Sequence, residues 1–297
     1  MTGPRFLDPV VLARIDNLEL VARTVVDGFI SGLHRSSYLG RSVDFAEHRA
    51  YMPGDDIRRI DWRVFGRTDR FFVKEFEADT NANFTIILDV SRSMAYGSGG
   101  ITKLDYARFL AACLAWFSRR QRDRVGLATF DHAVRTAIPA SGTHLDAVMH
   151  ALDTLEPGAA GGFEAPLERI AESVRRRSLL LVISDLLGEP DVVLQAVGRL
   201  CGGGNDVMVF HLVDPAERAF PFVEAADFED LETGERLPII PTELAAEYRN
   251  RVERHLRDIE DGMLARRIDY AQFETSRPLD FALFEFLTRR QRLNRVR

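Results

Sequence analysis

The chain has 297 residues, and its 39 Lys and Arg residues against 45 Asp and Glu residues give a net charge of −6. With 46% hydrophobic and 28% charged residues it has the balance of a soluble globular protein, and two cysteines cannot staple a chain of this length, so disordered, collagen-like and disulfide-scaffold classes are excluded. The acidic balance argues against a general nucleic-acid binder, which usually carries a basic excess.

The sequence gives no sign of export or of a membrane span. The N-terminal stretch is broken by Arg5, Asp8, Arg14 and Asp16, so it lacks the apolar core of a signal peptide. The apolar run 179–183 is far shorter than the roughly 20 residues that span a bilayer. Neither cysteine has a CxxC partner. We therefore expect a cytoplasmic protein without a membrane span.

The first part of the chain divides into a helix and a polar segment. Apolar residues at steps of three or four from Leu7 to Phe29 predict one amphipathic helix. A segment rich in Arg, Asp and Gly follows over 34–70, and its apolar residues are expected to dock on the rest of the protein. The pattern changes near residue 83, so we predict an N-terminal region over 1–82 and an α/β domain over 83–297.

From residue 84 onward, strands and helices alternate. The predicted strands are FTIILD, RVGLATF with AVRTAIP as its hairpin partner, SLLLVIS, DVMVFHLVD and IDYAQFET. The predicted helices cover 104–119, 145–155, 167–174, 192–200, 242–262 and 279–290. This order predicts a doubly wound α/β fold whose mostly parallel sheet is covered on both faces, with the smaller N-terminal region packed on it. The polar alternation around Thr-Gly over 220–240 predicts a surface β-hairpin insertion.

A candidate ligand site follows the first of these strands. Asp89, Ser91 and Ser93 form a DxSxS pattern there, and ligand sites in open α/β sheets form outside the carboxyl ends of strands. One carboxylate and two hydroxyls are hard oxygen ligands of the kind that Mg²⁺ takes. Asp185 follows SLLLVIS, so both carboxylates are expected at one edge of the sheet. The alternative is that the serines cap the next helix and Asp89 accepts backbone N–H groups.

These residues carry a family resemblance. The DVSRS loop, the Asp of ISDLL and the strand–helix alternation resemble a von Willebrand factor A domain with its metal-ion-dependent adhesion site. A series upstream, which includes SYLG, DF, RAYMPGDD and IDW, resembles the signature of the bacterial domain-of-unknown-function 58 family. The members of that series that we assign to partner binding or to a structural signature are Arg49, Tyr51, Gly54, Asp55, Asp56, Arg58, Asp61 and Trp62.

The resemblance covers nearly the whole chain, including the FEDLETGERL hairpin. It implies an A-type domain with one antiparallel edge strand. It also implies function, because members of the family look like non-enzymatic partners of MoxR-type AAA+ ATPases with roles in the assembly or activation of client proteins. The expectation is therefore a protein-binding module whose partners are an ATPase and a client protein, and not an enzyme.

One departure from the adhesion-site pattern concerns its threonine. The resemblance implies a metal held by Asp89, Ser91, Ser93, a loop threonine and, through water, Asp185. This sequence has Gly161-Gly162-Phe163-Glu164 where that threonine is expected, and phenylalanine has no oxygen ligand. We therefore expect a degenerate site that binds Mg²⁺ or another divalent cation weakly or not at all. The two carboxylates then need a proton, hydrogen bonds or a nearby cation such as Arg92.

Two other features leave alternatives open. The aspartates around Pro53-Gly54 form a metal or partner-contact site, or they form a local ion-pair network with Arg58 and Arg59. Thr143 is a further candidate hydroxyl, although its place before a predicted helix favours a cap.

Enzyme signatures are absent from the sequence. It contains no GxSxG or HExxH pattern, and the glycines before Lys103 do not have the spacing of a phosphate loop. The alternative to a binding module is a divalent-metal-dependent hydrolase in which Asp55, Asp56, Asp61 or Asp89 positions water.

Overall fold

A computed structural model describes residues 8–15, 17–35, 48–50, 72–74, 82–174, 176–231 and 233–295. Its main sheet has six strands in the order β10-β7-β6-β3-β4-β5. These strands are β3 (Asn83–Asp89), β4 (Arg124–Phe130), β5 (Val134–Ser141), β6 (Ser178–Ser184), β7 (Asp206–Val213) and β10 (Asp269–Glu274). All neighbours pair in parallel except β5, which is antiparallel to β4 at one edge. The predicted mostly parallel sheet is confirmed.

The burial of each strand follows from its place in the sheet. Every residue of β6 is buried, as expected of a central strand that is covered on both faces. The side chains of β5 alternate between half-buried and exposed, because this edge strand is covered on one face only. The continuous apolar run and the alternating run in the sequence therefore already indicate which strand is central and which is at the edge.

Helices cover both faces of the sheet. The helices outside the N-terminal region are α3 (Lys103–Arg120), α4 (Leu145–Asp153), α5 (Glu164–Ser173), α6 (Pro190–Leu200), α7 (Pro215–Ala219), α8 (Pro241–Ala265) and α9 (Leu279–Arg295). One apolar core joins α3, α4 and α9 to one face, through side chains such as Phe84, Leu181 and Phe286. A second core joins α5, α6 and α8 to the other face, through side chains such as Ile87, Val182 and Ile259. The fold is therefore doubly wound, as predicted.

The N-terminal helix differs from the prediction. Two helices replace the single predicted one, α1 (Pro9–Leu12) and α2 (Leu18–Arg35). Asp8 caps α1, and the Asn17 side chain accepts the N–H of Leu20 at the start of α2, so a second helix begins inside the apolar pattern. As a result Val11 and Ile15, expected on the buried face, are exposed. α2 packs on α3 within the first core, which confirms that the N-terminal helices dock on the domain.

Two small antiparallel pairs complete the described chain. β1 (His48–Ala50) pairs with β2 (Phe72–Lys74). β8 (Ala226–Glu229) pairs with β9 (Arg236–Ile239), which confirms the predicted hairpin insertion. In the signature series, the backbone of Arg49 lies in β1. Tyr51, Gly54, Asp55, Asp56, Arg58, Asp61 and Trp62 lie outside the described residues, as does most of the 34–70 segment predicted to dock. Within the described ranges, no helix is long and apolar enough to span a bilayer.

Candidate functional site

The two predicted carboxylates meet at the carboxyl edge of the sheet. β3 and β6 are parallel neighbours, and Leu88 pairs with Ile183 at the end of the ladder. Asp89 and Asp185 therefore emerge side by side, and they are only 2% and 3% exposed. The negative charge of Asp185 raises the pKa of Asp89. The predicted juxtaposition is confirmed.

Both oxygens of Asp89 accept hydrogen bonds from the protein. Its Oδ1 accepts the backbone N–H of Ser91 at 2.8 Å, and its Oδ2 accepts the hydroxyl of Ser184 at 2.6 Å. The hydroxyls of Ser91 and Ser93 lie 3.1 Å apart and are buried beside the carboxylate. Ser184, the last residue of β6, is a member of this cluster that the sequence analysis missed. Its position next to Asp185 at the end of a buried strand was the available signal.

A buried lysine neutralises Asp185. The ammonium of Lys103 donates to Oδ2 of Asp185 at 2.8 Å and also to Glu217, and its side chain is completely buried. Arg92 was expected to be the nearby cation, but Arg92 is exposed and Lys103 has that role. The signal was present, because Lys103 occupies the first position of α3, where the helix dipole favours an acid, and the chain has only one other lysine, Lys74.

The polar network continues to the end of the next strand. Asp214 follows β7 and caps α7, forming a capping box with Glu217. Its carboxylate also accepts the backbone N–H of Ser98 at 2.9 Å and the Ser98 hydroxyl at 2.5 Å, which ties the loop after β3 to β7. The ammonium of Lys103 thus connects β6 to α7 through Asp185 and Glu217. The ends of three adjacent strands are joined by one buried network.

The electrostatics of the edge follow from this burial. Burial, and then the negative charge of Asp185, raise the pKa of Asp89 to about 7, against the opposing hydrogen bonds from Ser184 and Ser91. Burial alone would lower the pKa of Lys103, but the carboxylates of Asp185 and Glu217 outweigh it and raise that pKa. Burial lowers the pKa of His211, whose Nδ1 lies 2.7 Å from the Tyr270 hydroxyl, to about 3. His211 is therefore neutral at physiological pH.

The residues present do not supply a complete set of ligands for an adhesion-site metal ion. Phe163 lies at the start of α5 with its side chain buried, and its ring packs on Phe130 at a centroid distance of 6.0 Å and against Gly188. Phe163 supplies no oxygen ligand, and Asp185 is already paired with the ammonium of Lys103. The described part of the chain holds no group of three or more His, Cys, Asp or Glu side chains that could bind a metal ion. Ser91, Ser93 and Asp89 remain as a partial set of oxygen ligands.

Thr143 does not cap the helix that follows it. The residue before α4 is His144, which makes no side-chain cap, and the Thr143 hydroxyl lies 3.1 Å from that of Ser141. The expectation of a cap is wrong, because α4 starts one residue later than that expectation requires. Thr143 instead belongs to the turn after β5.

The loop after Asp185 has an unusual backbone. Leu186 has φ of +49°, in the left-handed region that residues with a side chain seldom adopt. Its N–H donates to the Ser184 hydroxyl at 2.9 Å, and its carbonyl oxygen lies 3.1 Å from Nε2 of His255 on α8. Leu186 itself is buried, whereas the next residue, Leu187, is 53% exposed. The strained turn thus directs one apolar side chain to the surface at the edge.

Comparison with known proteins places this architecture in a family. Three curated mycobacterial relatives match at 28% identity over 232 residues, which is 76% of this chain and 73% of theirs; they include the uncharacterized proteins Rv1480 of Mycobacterium tuberculosis and Mb1516 of Mycobacterium bovis. Among solved structures, the chain is similar to the conserved hypothetical protein BatB of Bacteroides thetaiotaomicron (18% identity, 70% of this chain and 98% of that one, TM-score 0.47). It is also similar to the SpRpn10 VWA domain (12% identity, 68% and 94%, TM-score 0.37).

The sheet order with its single antiparallel edge strand, together with the DxSxS loop after the first strand of the domain, is that of a von Willebrand factor A-like fold. The family model described as "Protein of unknown function DUF58" matches residues 47–260, which is more than half of the chain. The chain therefore belongs to the DUF58 family.

Proposed function

We propose that this protein is a non-enzymatic protein-binding module that acts with a MoxR-type AAA+ ATPase in the assembly or activation of client proteins. The class of ATPase comes from the family resemblance. The structure supports the binding role through the strained turn at Leu186, since backbone strain is retained where the surrounding structure enforces it and is concentrated at functional sites.

The turn is part of a rigid edge. Ser184 accepts from Leu186 and donates to Asp89, so the turn after β6 and the loop after β3 share one hydrogen-bond chain. The side chains that these two loops expose include Arg92, Leu187 and Glu189, whereas the carboxylates of Asp89 and Asp185 beneath them are buried. An exposed loop on a rigid scaffold is a usual contact site for a partner.

The buried cluster is less suited to hydrolysis. A general base must reach its substrate, whereas the carboxylates of Asp89 and Asp185 are buried and bonded to internal donors. We therefore place the partner contact on the loops and assign the carboxylates to holding those loops in position.

A titration with the purified MoxR-type ATPase of the same cell tests this proposal. The unaltered protein is expected to bind, and Leu187→Ser is expected to weaken the affinity at least about fivefold, as for a contact residue in the centre of an interface. Leu20→Ser is the matched control, because Leu20 is exposed to the same extent on α2. Absence of binding by the unaltered protein, or equal weakening by both substitutions, would overturn the proposal.

A further inference from the structure

The hairpin and the start of α8 carry a concentrated apolar surface. Of the eleven exposed large hydrophobic residues in the described ranges, five lie within residues 222–244: Phe222, Val223, Leu237, Ile240 and Leu244. Val223 is 70% exposed and Leu237 is 53% exposed. Exposed apolar residues that are scattered singly are ordinary, but a cluster of this kind marks an interaction surface. We call these five residues the hairpin patch.

The patch is continuous with a packed aromatic cluster beneath it. The ring of Phe220 lies 4.4 Å from that of Tyr248 on α8, 5.6 Å from that of Phe228 and 5.2 Å from that of Phe222 between centroids. Phe228 stands opposite Leu237 in the hairpin, so their side chains share one face. Leu244 precedes Tyr248 by one helical turn and shares its side of α8.

The opposite face of the hairpin is polar. Glu229 stands opposite Arg236, and the two form an ion pair at 2.7 Å. Asp227 stands opposite Pro238 on the same face. The hairpin therefore has two different faces: Phe228 and Leu237 lie on the apolar face next to the aromatic cluster, and Asp227 and Glu229 lie on the opposite, acidic face.

The charge around the patch is predominantly negative. Residues 220–244 contain seven acidic residues and one arginine, a net charge of −6, which equals the net charge of the whole 297-residue chain. The arginine, Arg236, pairs with Glu229. The nearest basic residue upstream, Arg218, pairs with Glu253 and Glu274. Among the described residues of 219–244, Arg236 is the only cation, and the acidic side chains of this stretch, which we call the acidic rim of the hairpin patch, are exposed.

We infer that the hairpin patch is a docking surface for a basic amphipathic segment of a partner protein, in which apolar side chains cover the patch and flanking Lys or Arg residues meet the acidic rim. Electrostatic complementarity of this kind selects partners and speeds association. A membrane surface is disfavoured as occupant, because anionic lipids would repel the rim. The surface is distinct from the Leu187 turn, so it goes beyond the proposed function.

Two synthetic peptides test this inference. One is an amphipathic helical peptide of Leu and Lys, and the other is the same peptide with Glu in place of Lys. Titration of the full chain by fluorescence anisotropy is expected to show binding of the Leu/Lys peptide that weakens with added salt, and no binding of the Leu/Glu peptide.

Matched variants locate the binding. Val223→Ser/Leu237→Ser is expected to weaken binding of the Leu/Lys peptide at least about tenfold, whereas Val11→Ser/Leu20→Ser, which removes the same residue types from another exposed surface, leaves it unchanged. Glu224→Gln/Asp227→Asn is expected to weaken binding and reduce its salt dependence. Its control, Asp146→Asn/Glu172→Gln, removes the same charges from exposed positions on α4 and α5.

Three outcomes would overturn the inference: no binding of the Leu/Lys peptide, equal binding of the Leu/Glu peptide, or equal weakening by the hairpin variants and their controls. The charge variant keeps the inference testable if the apolar variant fails to fold. Since all these substitutions leave Leu187 in place, failure here is distinguishable from failure of the ATPase titration.

Discussion

Replacement of Lys103 by methionine tests the buried network at the sheet edge. The ammonium of Lys103 is completely buried, lies 2.8 Å from Oδ2 of Asp185 and also bonds to Glu217. Lys103→Met fills a similar volume but leaves the carboxylate of Asp185, 3% exposed, without a cation and close to Asp89. Removing one partner of a buried ion pair costs about 3–5 kcal/mol of folding free energy. We expect a loss in that range.

Urea denaturation at pH 8, where Asp89 is ionised in both states, measures this loss. The control is Arg119→Met, which removes a positive charge from an exposed position in the last turn of the same helix and should cost less than about 1 kcal/mol. The double variant Lys103→Met/Asp185→Asn removes both charges, so it should be more stable than Lys103→Met alone. A loss below about 1 kcal/mol for Lys103→Met, or strict additivity in the double variant, would refute the reasoning.

The remaining predictions concern the same edge. Phe163→Thr should raise the affinity for Mg²⁺ and Mn²⁺ in a calorimetric titration, and Asp89→Ala should abolish any binding; tight binding by the unaltered protein would show that another oxygen replaces the threonine. The raised pKa of Asp89 means that the folded state holds this proton more tightly than the unfolded chain does. In a buffer with EDTA, the free energy of unfolding should therefore fall by about 4 kcal/mol as the pH rises from about 4 to about 7. Asp89→Asn should remove that part of the pH profile, and an unchanged profile would contradict the assignment. The lowered pKa of His211 acts in the opposite direction, because its contribution to the free energy of unfolding is complete above pH 6.5 and decreases as the pH falls toward 3. His211→Gln should therefore make the protein less sensitive to acid in denaturation curves measured at several pH values. Equal acid sensitivity of the two proteins would count against this assignment.

The sheet could be predicted because its strands are marked by their own residues. The run SLLLVIS is apolar throughout, so it needs cover on both faces and becomes the buried strand β6. FTIILD is an apolar strand of the same kind, and parallel strands end at one edge of a sheet, so Asp89 and Asp185 were expected at that edge; the structure adds that β3 and β6 are direct neighbours. The hairpin at 226–239 was predicted because the Thr-Gly turn is local, and Gly234 adopts φ of +75° there.

The network at that edge could not be predicted because its contacts join distant parts of the chain. Lys103 is separated from Asp185 by 82 residues and from Glu217 by 114, so even its unusual place at the start of a helix does not indicate which carboxylates it meets. The break between α1 and α2 was missed for a different reason. The apolar residues keep their helical spacing on both sides of Asp16 and Asn17. One capping residue such as Asn17 is a weaker sequence signal than that spacing, so the start of the second helix was not recognised.

We propose that the carboxyl edge of this sheet contacts a protein partner and does not carry out hydrolysis. Incubation of the purified chain with Mg²⁺ or Mn²⁺ and generic phosphoester substrates tests it most directly, with Asp89→Asn as the comparison. We predict that the two proteins give the same rate, at the level of the buffer alone. Robust turnover by the unaltered protein that is lost in Asp89→Asn would contradict the account.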